Sequence, residues 1–213
     1  MTWKLFFLLV QAAGSTALIS LAAIAIGVCV GVVVCAGALA RNRLLNGLSR
    51  LYISFFRGVP LLVQLMLFYY LLPALGVEVS SLSAALLALS LCTAAYQAEN
   101  LRGGFLAVPR SLIEAADMVG MTAAQRFRRI EAPIAVRLML PSMMNEAIAI
   151  LHASALISVV GVIEVTRMAQ NLSSSTFRPL PIYAAAGLLY LIMTGVLAGA
   201  GLLAERRLRV RLS

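Results

Sequence analysis

Long apolar runs alternate with short polar segments along the whole chain, and the rhythm is that of membrane helices rather than amphipathic ones. The first run predicts a short interfacial helix from Trp3 to about Gln11, then a span from about Gly14 to Ala40. The polar stretch RNRLLNGLSR (Arg41–Arg50) reads as a loop. A second span is expected from about Leu51 to Leu72, ended by Pro73 and Gly76, and a third from about Leu82 to Ala107. A polar, arginine-rich island covers roughly residues 110–133. A fourth span is expected from about Ala135 to Val160. A longer loop carrying Asn171, Ser173 to Ser175, Pro179 and Pro181 leads to a fifth span from about Ile182 to Ala204.

Each run is long enough to cross a hydrocarbon core as a helix, the form that satisfies every backbone polar group internally. The fold class expected is therefore all-α: a polytopic helical membrane protein with five transmembrane helices, forming a single domain over residues 1–213. Composition strengthens this reading. Of the 213 residues, 62% are hydrophobic and only 12% charged, against about a quarter charged in a water-soluble domain.

The net charge of +9 matters mainly through its placement. Fourteen of the seventeen basic residues fall in three places: Arg41 to Arg57, Arg102 to Arg137, and the tail from Arg206 to Arg211. Basic residues gather on the cytoplasmic side of membrane proteins. The expectation is an external N-terminus, an internal C-terminus and a cytoplasmic island. Charges at span ends argue against nucleic-acid binding. The first apolar stretch is too long for a cleavable signal and lacks a basic leader. Cys29 and Cys35 would lie about 9 Å apart along one helix, beyond disulfide reach. One histidine and no Cys/His cluster provide no metal-ligand set.

The island EAADMVGMTAAQRFRRIEAP (Glu114–Pro133) carries the chemistry. Ser111 and Glu114 have the spacing of a helix capping box. Glu114 and Asp117 suit a helix start, Ala115 and Ala116 offer a small packing surface, and Gly120 permits a sharp turn. By composition alone this is a solvated amphipathic helix. The order Glu114-Ala115-Ala116, three residues, Gly120, nine residues, Ile130, two residues, Pro133 resembles the EAA loop of bacterial ABC-type import permeases.

The resemblance extends to the Arg-Gly-x-Pro segment in YISFFRGVPLLVQLMLFYY, to AAYQAENLRGGFLAVP, to LPSMMNE and to ALISVVGVIEVTR. From about Tyr52 onward the chain is similar to the polar amino-acid permease family, the histidine/glutamine/arginine/opine type. It departs from the family at three places. Ala132 stands where leucine is usual, Ser111 and Leu112 replace Gly-Gln, and His152-Ala153-Ser154-Ala155 replaces Lys-(Asp or Asn)-Thr-Ser. The last change removes an acid at position 153 and weakens any preference for a strongly cationic ligand.

The resemblance implies a type I ABC importer permease, not an enzyme, in a bacterial cell (inner) membrane. It also implies no cofactor on this chain, ATP and magnesium being handled by a partner. The chain lacks a GxxxxGK[ST] phosphate cradle of its own. Expected partners are two ATPase subunits, a second permease copy or a similar sister, an extracytoplasmic solute-binding protein and membrane lipid. Glu114 to about Gln125 would form a coupling helix seated on the ATPase, with Ala115, Ala116, Gly120, Ile130 and Pro133 as its other motif positions.

Ionisable groups inside spans are functional candidates because burying them is costly. Thr93, Tyr96, Gln97 and Asn100 fall at helical spacing, with Glu99 adjacent. Ser142, Asn145 and His152 fall near one face of the fourth span, with Glu146 about 100° away. The substrate-path candidates are Glu99, Asn145, Glu146, His152 and Ser154. Structural bonding to neighbouring helices is the alternative for them. Arg57 is either a positive-inside anchor or, with Gly58 and Pro60, part of an inner gate. Glycines at small-xxx-small spacing, Gly27 with Gly31 and Gly195 with Gly199, are candidates for close helix contact. Three other classes compete: a membrane enzyme, for which the eight acidic residues are too scattered; a channel or secondary carrier, for which no repeated halves are evident; and a structural subunit not driven by ATP.

Overall fold

A computed structural model of the chain describes residues 3–210. Arg211, the last basic residue of the tail, lies outside them, as do residues 1–2. Among the described residues all regular structure is helical.

The first helix, α1, runs unbroken from Trp3 to Leu39, so the expected interfacial helix and first span are one element. Its apolar residues surround it on every side, which leaves no polar face to force a break. The expected loop Arg41–Arg50 is instead the start of α2 (Arg43–Gly58), because the Asn42 side chain accepts a hydrogen bond from the Leu44 amide at 2.9 Å and caps a new helix.

The expected second span is broken. α2 and α3 (Leu61–Ala74) meet at 106°. Proline at 60 has no N–H and forces Val59 into extended backbone (φ −97°, ψ 132°), so the helix stops at Gly58. α4 (Ser81–Leu106) follows after a Ser80 cap. It is the central helix, packed against α1 along its length and against α2, α3 and α7. Gly27 and Gly31 make this possible: a Cβ on Gly27 would lie 2.5 Å from Thr93 Cβ, and one on Gly31 would lie 3.0 Å from the Ala94 carbonyl. A Cβ on Gly195 or Gly199 would meet nothing within 4 Å, so among the described residues that pair is not a point of close helix approach.

The island folds as α5 (Arg110–Met118) and α6 (Ala123–Arg126). A π turn, Phe127–Glu131, leads into α7 (Ala132–Ala153). The expected fourth span ends as an α-helix at Ala153 and tightens to 3-10 geometry over Ser154–Val160, closed by Gly161 at φ +83°. The loop expected next contains a further helix, α8 (Val165–Thr176), whose Val165, Ala169 and Leu172 face inward at helical spacing. α9 (Pro179–Val210) completes the bundle. Among the described residues four helical stretches are each long and apolar enough to cross a membrane, and the bent α2–α3 pair makes a fifth only where its two helices count together as one broken span. Cys29, Cys35 and Cys92 are free thiols.

Candidate functional site

The island is a helical hairpin. α5 starts after Pro109 with no side-chain cap, so the Ser111–Glu114 capping box does not form. Pro109 sets the helix start two residues earlier and leaves Ser111 inside the first turn. The box forms at the second helix. Thr122 Oγ1 accepts from the Gln125 amide at 3.3 Å, and Gln125 Oε1 accepts from the Thr122 amide at 2.9 Å.

Between the helices Gly120 takes φ +75°. Its amide donates to the Asp117 carbonyl at 3.0 Å, and the Met121 amide donates to the Ala116 carbonyl at 3.1 Å, closing the end of α5. A residue with a Cβ would be strained there. The single helix expected from Glu114 to Gln125 is thus two helices with a reversal at Gly120. Arg126 clamps them: its guanidinium donates to Asp117 Oδ1 and to Glu131 Oε1, both at 2.6 Å.

The motif residues divide by exposure. Glu114, Ala115 and Gly120 lie on the surface, whereas Ala116 is 3% exposed and packs against its own chain. Ile130 and Pro133 are half-buried where the π turn joins α7. The hairpin tip carries two apolar side chains that sequence reasoning passed over, Met118 (87% exposed) and Val119 (74%). The signal was present: with Met121 they place three large apolar residues around Gly120, where a solvated turn would be polar.

The polar residues of the spans do not converge on one point. Thr93 and Gln97 are buried, Thr93 beside Gly27 of α1 and Gln97 beside Gly31. Thr93 Oγ1 donates to the Leu89 carbonyl at 2.7 Å, and Gln97 Nε2 donates to the Met143 carbonyl of α7 at 3.3 Å. Tyr96 turns elsewhere, its ring 5.2 Å from the Arg57 guanidinium. The expected shared face of Thr93, Tyr96, Gln97 and Asn100 is therefore divided, because small residues of α4 are consumed in packing on α1. Glu99 is held by Arg102, whose Nε donates to Glu99 Oε2 at 3.0 Å. Both lie on a cavity of about 280 Å³ that Arg50 and Arg57 also line.

On α7, Ser142, Asn145 and His152 share one exposed face, with Glu146 half-buried beside it. His152 Nε2 and Thr194 Oγ1 of α9 share a hydrogen bond of 2.8 Å. Ser154 is fully buried and its hydroxyl donates to the Leu151 carbonyl at 2.7 Å, so it is turned away from that face.

Gly58 and Pro60 bracket the α2–α3 bend, with Arg57 at its α2 edge. Gln64, 1% exposed, holds the bend: its Nε2 donates to the Phe56 carbonyl at 2.9 Å and to the Val59 carbonyl at 2.7 Å. These are carbonyls that the end of α2 leaves without helical partners. In the sequence Gln64 is only a lone polar residue in an apolar run four residues after a proline.

A second polar knot went unread in the sequence. Glu164, fully buried, caps α8 by accepting from the Thr166 amide at 2.8 Å and the Arg167 amide at 2.6 Å, and it accepts the Tyr190 hydroxyl of α9 at 2.8 Å. Thr16 of α1 accepts from the adjoining Val165 amide at 3.1 Å, tying three helices together. Burial pushes the Glu164 carboxyl above its ordinary value, against the opposing pull of those donors.

Residues 23–210 match the family described as binding-protein-dependent transport system inner membrane component. The chain is 42% identical over 167 residues to the probable amino-acid ABC transporter permease protein PatM of Vibrio harveyi, covering 77% of this chain and 75% of that one. It is 37% identical over 207 residues to the nopaline transport system permease protein NocM of Agrobacterium fabrum, covering 92% and 86%. Its fold superimposes with a TM-score of 0.90, at 33% identity, on a chain from the crystal structure of an amino acid ABC transporter with histidines, covering 97% of this chain and 100% of that chain.

Proposed function

The chain belongs to the binding-protein-dependent transport system inner membrane component family, and on that premise we propose that it is the permease subunit of an ATP-driven importer for a polar amino acid or amino-acid derivative. The observation that carries this reading is the exposed α5–α6 hairpin on a bundle that has no nucleotide-binding motif of its own. Two ATPase subunits work beneath a pair of permeases, this chain twice or this chain with a sister. A solute-binding protein delivers cargo from outside a bacterial inner membrane. The N-terminus lies outside and the C-terminus inside, which puts Arg41 to Arg57, the hairpin and the described tail arginines on the cytoplasmic side.

In this reading the hairpin seats in a cleft of the ATPase. Met118 and Val119 supply apolar contact, Ala115 close approach and Glu114 a polar anchor. Ala116, Ile130 and Pro133 hold the hairpin onto α7 rather than touching the partner. Closure of the ATPase pair pushes the hairpin, and the rigid link through the π turn into α7 passes the displacement to the spans. The face of α7 bearing Asn145 and His152 lines the path, with Glu146 at its edge. The Arg57–Gly58–Pro60 bend, braced by Gln64, is the inner gate. Glu99 belongs to that gate rather than to the path, since Arg102 already holds it. The pairing of His152 with Thr194 gives the imidazole a defined orientation, so that its other nitrogen is free for a ligand. Uptake by His152→Ala at the wild-type rate would remove it from the path.

The test of the coupling role is Gly120→Arg. The variant is expected to insert in the membrane and to lose the ATPase on co-purification. Recovery of the ATPase at wild-type level would refute the role.

A further inference from the structure

We propose that the open cavity lined by α2 and the ends of α1 and α4 binds the phosphate headgroup of an anionic phospholipid. The cavity, about 280 Å³, is lined by three guanidinium groups, Arg50, Arg57 and Arg102, and one carboxylate, Glu99. Glu99 and Arg102 satisfy each other through several short contacts. Arg50 and Arg57 make no ion pair among the described residues. The cavity therefore holds three guanidinium groups against one carboxylate, and the Arg57 guanidinium also lies over the Tyr96 ring, 5.2 Å from its centroid.

This division selects the ligand. A zwitterionic amino acid would need Glu99 for its ammonium group and would have to take it from Arg102. A phosphodiester needs only donors, and guanidinium groups present them in a fork that matches its oxygens. The setting selects the source. α2 carries Arg50, Ser54 and Arg57 on the face that lines the cavity. Leu44, Leu48, Leu51 and Phe55 lie exposed on the opposite face. A helix so divided lies in the headgroup region with its apolar side among acyl chains. An oxyanion reaching the cavity there comes attached to a lipid, and basic pockets between helix ends are where such headgroups lodge.

The test is native mass spectrometry of the full-length chain purified with its assembled partners, comparing retained phosphatidylglycerol with phosphatidylcholine of identical acyl chains. The wild type is expected to retain phosphatidylglycerol preferentially. Arg50→Gln is expected to lower that preference about fivefold, the worth of one basic residue at a lipid surface. Arg43→Gln removes the same charge from α2 outside the cavity and is expected to keep the preference. Arg50→Lys, which retains the charge and perturbs folding least, is expected to fall between. Phosphatidylglycerol should also raise the melting temperature of the wild type more than that of Arg50→Gln. Equal retention of the two lipids by the wild type would overturn the proposal, as would Arg50→Gln behaving like Arg43→Gln. Loss of the preference in millimolar inorganic phosphate would assign the site to a free oxyanion and overturn the lipid assignment.

Discussion

α4 and the α5–α6 hairpin follow one another in the chain and are held in opposite ways. α4 is enclosed by α1, α3 and α7, and its Thr93 and Gln97 sit directly against glycines of α1. The hairpin buries one side chain in α5, Ala116, and is otherwise closed by a left-handed glycine and the arginine clamp of Arg126. The bundle is built to move as a unit, because close-packed helices transmit a displacement rather than absorb it. The hairpin keeps its apolar tip, Met118 and Val119, uncovered, as the proposed docking on an ATPase requires. Substitutions on the two sides of this contrast should fail in different ways.

The largest effect is expected in the bundle. Gly27→Val places new atoms where Thr93 already stands, and overpacking of this kind costs about 3 kcal/mol. It should appear as a steep fall in melting temperature in detergent. Gly195→Val, at a glycine with no neighbour within 4 Å, should leave the melting temperature unchanged. Equal losses at the two sites would mean that α1 and α4 are not locked together.

Next comes the bend. Gln64→Leu strips the Val59 carbonyl of its donor, leaves the Phe56 carbonyl only the weak Cys92 thiol, and should cost about 2 kcal/mol. Gln64→Glu, which restores the shape but not the donor, should rescue little. Gly120→Ala should cost about 1 kcal/mol, from the left-handed backbone alone, since open space surrounds the position. Its signature is a small change in melting temperature beside a larger loss of ATPase recovery. That split sharpens the comparison, for Gly27→Val should lower both together.

The smallest effect concerns Glu164. Burial raises its carboxyl in the folded chain above the unfolded value, so the folded state favours the protonated form. The resulting stabilisation is complete below the ordinary carboxylate value and is lost as pH rises through the folded value. Melting temperatures measured across that window should fall gently in the wild type and stay flat in Glu164→Gln. A wild-type curve that rises instead would mean that the amide and hydroxyl donors outweigh burial.

Much of this contrast was legible in the residues. Apolar runs located the four long helices and the bent α2–α3 pair, and the spacing from Glu114 to Pro133 located the island, though as one helix rather than two. Gly58 and Pro60 carried a signal for the bend, yet an unbroken span over Leu51 to Leu72 was expected, because the break is held by a glutamine that reads as unremarkable until it is seen reaching back to two carbonyls. The capping box was assigned to Ser111 because its spacing fits. Pro109 starts the helix first, and Thr122 with Gln125 has the same logic in a better place. The polar face of the third span was misjudged for a different reason. Periodicity reports that Thr93, Tyr96, Gln97 and Asn100 share a side of a helix, but which residues are spent on packing depends on the glycines of a helix some sixty residues earlier. Glu164 was hidden because an acid in an expected loop invites no question, whereas its role as a cap requires knowing that α8 exists.

The most direct test of the account places single cysteines in a chain whose Cys29, Cys35 and Cys92 are replaced by alanine. One cysteine stands at Ala115 on the hairpin, and the other at Val77 in the loop at the far end of α4, about 39 Å of helix away. Each variant is treated with a short crosslinker in membranes that hold the assembled transporter. The account predicts a crosslink to the ATPase from Ala115→Cys that shifts in yield when ATP is supplied, and none from Val77→Cys. An ATPase adduct at Val77→Cys, or none at Ala115→Cys, would contradict it.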